Sequence, residues 1–75
     1  MVRFHIRVNN GYENMTRMYW FVHKKWETMS EEEQTKEWDA AVKELNHIYQ
    51  DYGRFATTTG VTKFFDAHGF ERTIL

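Results

Sequence analysis

The chain predicts an α+β fold: a small, mainly antiparallel sheet of about three strands packed on an antiparallel helical hairpin, with a short third helix open near 60–68. Three observations carry this. Residues 2–8 alternate apolar and polar side chains, while two longer stretches step their apolar residues by three and four. The third is three Trp, four Tyr and six Phe among 75 residues, which supply large, rigid apolar area to a chain without a cysteine. A domain this short reaches only about 3–5 kcal/mol from its core unless something staples it, so the rings must carry the fold. One compact domain spanning 1–75 is the expectation.

Val2, Phe4, Ile6 and Val8 alternate with Arg3, His5 and Arg7, the pattern of a half-buried strand whose outer face is basic. Asn10-Gly11 then gives a hairpin signal. With those two residues as the turn, Ile6 faces Met15, but Val8 faces Glu13 and Phe4 faces Arg17, so charge lands on the buried side. Helical spacing suits the segment better. Tyr12, Met15, Tyr19, Val22, Trp26 and Met29 follow one another at three and four residues, with Asn10 and Glu13 as a workable cap. The pattern predicts a helix over 11–28. Trp20 and Phe21 fall off its apolar stripe, among Arg17, Lys24 and Lys25.

Ser30 followed by Glu31, Glu32 and Glu33 forms a Ser-x-x-Glu capping box with acid at the positive helix end. Trp38, Ala41, Val42, Leu45, Ile48, Tyr49 and Tyr52 continue at helical spacing, and Gly53 provides a stop. A second helix over 31–52 is predicted, antiparallel to the first.

Residues 54–58 have strand composition, as do 70–75. Between them Val61, Phe64, Phe65 and His68 fit a short helix capped by Thr59 and stopped by Gly69, and Asp66–Gly69 also fits a turn between strands. The stretch Lys63-Phe64-Phe65-Asp66-Ala67-His68-Gly69-Phe70-Glu71 is similar to the helix–Gly–Phe–strand phrase near the end of many acetyltransferase domains. The likeness covers nine residues, in a chain half as long as such a domain needs and without its glycine-rich pyrophosphate loop. It implies helix then strand at this place. The predicted core joins Val2, Phe4, Ile6, Val8, Phe55 and Ile74 from the sheet to Met15, Tyr19, Val22, Trp26, Trp38, Leu45 and Tyr49 from the helices.

Several classes are disfavoured by composition. The longest apolar run, Met18–Val22, is five residues, against about 20 for a membrane span. Residues 1–7 lack a continuous signal-peptide core, and zero cysteines fit a reducing compartment, so a soluble cytoplasmic protein without membrane contact is expected. Net charge is −1, so no global field draws the molecule to polyanions. The charge is uneven along the chain, with residues 1–25 at net +4 and residues 26–52 at net −6.

The search for chemistry returns little. His5, His23, His47 and His68 lie too far apart in sequence for a zinc motif, and no cysteine accompanies them. His23 with Glu27, and His47 with Asp51, are helix-surface pairs at i,i+4. The one serine, Ser30, is assigned to capping, and no glycine-rich loop is present. No catalytic residue, cofactor or metal is expected, and the chain reads as a non-enzyme.

Binding is the better expectation. A protein–protein interaction module, a regulator or inhibitor that occupies a partner surface, would use Trp20, Phe21, Arg17, Lys24 and Lys25, because exposed Trp and Arg are enriched at interface hot spots. A homodimer through the same rings stays open. Two alternatives stand behind it. The acidic helix bearing Glu31, Glu32, Glu33, Glu37, Asp39 and Glu44 could dock on a basic, nucleic-acid-binding partner. Nucleic acid could also bind the basic strand of Arg3, His5 and Arg7 together with the first helix. That last reading ranks lower, because the outward strand face shows no aromatic and the pI is about 6.4.

Overall fold

The computed structural model describes residues 2–10, 15–51 and 57–73. Strand β1 (Arg3–Asn10) and strand β2 (Met15–His23) precede helix α1 (Glu31–Asn46), which runs on as a π-helical stretch, His47–Asp51. Helix α2 (Thr58–Ala67) and strand β3 (Phe70–Thr73) complete the order. The sheet is antiparallel with strand order β1-β2-β3. The fold is therefore α+β, with three strands and two α-helices among the described residues.

Of the predicted helix over 11–28, residues 11–14 lie outside the described residues and 15–28 are not helical. Its centre is β2, and Lys24–Met29 form a turn leading to Ser30. The helical hairpin is lost with it, and the helix foreseen near 60–68 is the second of the two. The physical reason is that β2 is the central strand. It pairs on both edges and buries residues on both faces, so Tyr19 and Phe21 point one way while Val22 is buried on the other. A strand apolar on both faces loses its period of two, and the surviving three-and-four spacing imitates a helix.

The hairpin exists, with a longer connection than Asn10-Gly11 allows. Asn10 lies opposite Met15, which puts Phe4 opposite Phe21 and Ile6 opposite Tyr19. This is a shift of four residues from the two-residue turn. Because the shift is even, the faces are preserved; Phe4 and Ile6 now meet apolar partners, while Val8 lies opposite Arg17.

One layer of aromatic side chains lies between the sheet and the helices. Phe4 and Val8 of β1, Tyr19 and Phe21 of β2, and Phe70 of β3 meet Trp38, Ala41 and Leu45 of α1 and Val61 and Phe65 of α2. Trp38 is the hub: its ring stacks on Phe4 at 5.1 Å and on Phe65 at 4.5 Å, with Phe70 edge-on at 5.2 Å. Val2, Ile6 and Tyr49 pack partly buried against this cluster. Trp26, expected in the core, lies in the turn and is 39% exposed. Phe55 and Ile74 fall outside the described residues, as does the side chain of Met15. Both helices thus cover the same face of the sheet.

The caps show how the local sequence fixes these elements. Ser30 Oγ accepts from the Glu33 N–H at 3.2 Å, as the capping box requires. Thr57, two residues before the expected Thr59, caps α2 by accepting from the Gly60 N–H at 3.1 Å. Thr57 and Thr58 therefore open a helix instead of closing the strand predicted over 54–58, whose other residues lie outside the described set. The predicted stop at Gly53 lies outside it too. Gly69 ends the α2 segment at φ +87, a conformation that side chains oppose. A Cβ there would also stand 3.3 Å from His23 Nε2.

His23 is buried where β2, α1 and β3 meet. Its Nδ1 accepts from the Lys25 N–H at 2.9 Å, so Nε2 carries the proton and donates to Glu37 Oε2 at 2.7 Å. The ring stands edge-on to Phe70 at 4.8 Å. Gln34 is buried beside the start of α1, with its Nε2 donating to Met29 O at 3.0 Å and its Oε1 unpartnered among the described residues.

Candidate functional site

The residues singled out for partner binding do not share a surface. Phe21 is fully buried, with its ring 4.6 Å from Phe65, and is a core residue. Arg17 is exposed opposite Val8 and belongs to the helix-side parity of β2. Lys24 is exposed and holds α2, donating to Asp66 Oδ1 at 2.6 Å. Lys25 lies exposed in the turn. Trp20 alone keeps an aromatic ring on the outer side of the sheet.

The acidic set divides as well. The buried face of α1 is Gln34, Trp38, Ala41 and Leu45. At about 100° per residue, Glu33, Glu37 and Glu44 fall on one flank of that face and Glu31, Glu32 and Asp39 on the other. Lys36 and Lys43 stand between the two flanks on the solvent side. Glu37 accepts from His23, and Glu44 Oε2 lies 3.2 Å from His68 Nε2. A groove of about 290 Å³ between α1 and the end of α2 is lined by Glu37, Ala40, Ala41, Glu44, Ala67 and His68. The two carboxylates in it already face histidines. Both ring nitrogens of His23 are in hydrogen bonds, so this ring offers no free base to a substrate. Among the described residues no three His, Asp or Glu side chains gather to hold a metal ion.

What the fold assembles is the helix-free face of the sheet. Arg3, His5 and Arg7 stand in a row on β1, because residues at i, i+2 and i+4 of a strand share a face. Register sets Val22 opposite Arg3, Trp20 opposite His5 and Met18 opposite Arg7. On the far side Glu71 lies opposite Val22 and Thr73 opposite Trp20. The His5 and Trp20 rings touch, with centroids 4.9 Å apart and planes inclined by 47°. Met18 is 44% exposed, Trp20 half-buried, and Arg3, His5 and Arg7 exposed. An aromatic pair thus lies in the middle of the face with a guanidinium on each side along β1.

The nucleic-acid reading of the sequence already joins the basic strand to the segment of Trp20, but it sets Trp20 on a helix beside Phe21. The basic strand face lacks an aromatic of its own; the neighbouring strand supplies one through the register. Among the described residues no helix is long and apolar enough to cross a membrane. Comparison of the chain with protein-family models, curated proteins and solved structures finds no match.

Proposed function

We propose that the protein is a non-catalytic recognition module that occupies an anionic partner with the helix-free face of its sheet. One observation carries this: both helices cover the same face, so that among the described residues no helix lies over Met18 and the half-buried Trp20 beside Arg3 and Arg7. Exposed apolar side chains do little for folding, while a ring flanked by guanidinium groups is the composition of an interface anchor. A regulator or inhibitor that works by occupancy needs no more than such a surface. The acidic flanks of α1 fit this role less well, since lysines divide them and histidines engage two of their carboxylates.

The test is retention on a polyanion. Although its net charge is −1, the protein should be held by a heparin column in low salt and released as salt rises. Arg3→Ala combined with Arg7→Ala should abolish retention. The melting temperature should hardly change, because exposed substitutions stay within about 0.5 kcal/mol each. Flow-through of the unmodified protein, or undiminished retention of the variant, would sink the proposal.

A further inference from the structure

We propose that the helix-free face takes single-stranded nucleic acid, with one base seated against the Trp20–His5 pair and phosphates on either side of it at Arg3 and Arg7. This rests on the face being the recognition surface and names its ligand.

The geometry supplies the two things a single strand needs. The first is a ring surface, half-buried at Trp20 and exposed at His5, on which any base can stack without hydrogen-bond readout. Trp20 and His5 lie in contact in the middle of the face. The second is cations along the backbone path. Arg3 and Arg7 are four strand residues apart, about 13 Å at the rise of a strand, and they bracket the ring pair. A duplex keeps its bases stacked on each other and cannot use the rings. An acidic protein segment would use the guanidinium groups and leave the aromatic pair idle.

Among the described residues, the charged and titratable groups facing this site are few. β1 contributes Arg3, His5 and Arg7; the described outward residues of β2 contribute none; β3 contributes Glu71, across Val22 from Arg3. Glu71 opposes a phosphate at the Arg3 end, so Arg7 is the stronger of the two contacts. The carboxylates of α1 lie a layer away, on the order of 10 Å.

A second copy of the chain is the competing occupant, and area argues against it. Three strands and five residues span roughly 14 by 17 Å, so two such faces would bury on the order of 500 Å². Stable interfaces start at about 1,200 Å².

Fluorescence anisotropy with a labelled oligouridylate of about 12 nucleotides tests this, beside a duplex of the same length and a labelled oligoglutamate peptide. The single strand should bind, with log K falling against log salt at a slope of about −1.4 for two phosphates, and at about −0.7 in Arg7→Ala. Trp20→Ala should weaken binding about ten-fold with its slope unchanged, and Trp20→Phe should restore most of it. Glu71→Gln should tighten binding. Melting temperatures confirm that each variant is folded, and Arg7→Ala, at an exposed position, keeps the test alive should Trp20→Ala fail to fold.

The proposal is overturned by no response of the single strand up to roughly 100 μM protein in low salt, or by equal affinity for the duplex. Oligoglutamate binding that is indifferent to Trp20→Ala would also overturn it. In that last case polyanion retention persists and the face remains a recognition surface, with an acidic protein as its ligand. A dimer by light scattering that Trp20→Ala splits would assign the face to a second copy and end both proposals.

Discussion

Trp38→Ala should cost about 3–5 kcal/mol, the range for a large buried aromatic whose site cannot collapse around the vacancy. Trp38 is 7% exposed and stacks between Phe4 of β1 and Phe65 of α2. Its removal opens the sheet–helix layer at its middle. Since a domain of this size holds only about 3–5 kcal/mol in total, the variant should be largely unfolded at room temperature. Circular dichroism should show it as loss of the helical signal, and a thermal scan as loss of the transition. An unchanged melting temperature would remove Trp38 from the core and, with it, the packing of α1 on the sheet.

The second large effect separates two neighbours in the chain. Phe21→Ala should cost about 3–5 kcal/mol, because the ring is wholly buried against Trp38 and Phe65. Trp20→Ala should cost roughly 0.2–1 kcal/mol, the worth of a cross-strand pair, here with His5. Denaturant unfolding of both single variants measures the contrast. Equal losses would mean that residues 20 and 21 do not lie on opposite faces, and β2 would then be misassigned.

That contrast also shows where the sequence was legible. On a helix, residues 20 and 21 stand about 100° apart and fall on one side; on a strand they point in opposite directions. Reading the segment as helix therefore joined Trp20 and Phe21 into one exposed pair, whereas the fold sends one to the surface and the other to the centre of the core. β1 and α1 were legible because each buries one face and exposes the other, which leaves a clean period. β2 hid because it is apolar on both. The charge pattern did mark Arg3, His5 and Arg7 as an outer row. Their partner Trp20 arrives by a register that depends on the length of the β1–β2 connection. Spacing alone pairs His23 with Glu27 on a helix surface. Its true partner, Glu37, comes from another element, and no local spacing announces it.

The strand order also sets the timing of folding. Partners between β1 and β2 are 5 to 19 residues apart in the chain, whereas those between β2 and β3 are 47 to 53 apart. The second ladder closes a loop that contains both helices, and the entropy of that closure must be met before its contacts stabilise anything. The hairpin should therefore form early and β3 should dock last. In kinetic terms, Val8→Ala in β1 should slow refolding, while Phe70→Leu in β3 should chiefly speed unfolding. Stopped-flow rates across a denaturant series would show it as displacement of the folding limb for one variant and of the unfolding limb for the other. Displacement of the folding limb by Phe70→Leu would place β3 in the nucleus and reverse the order.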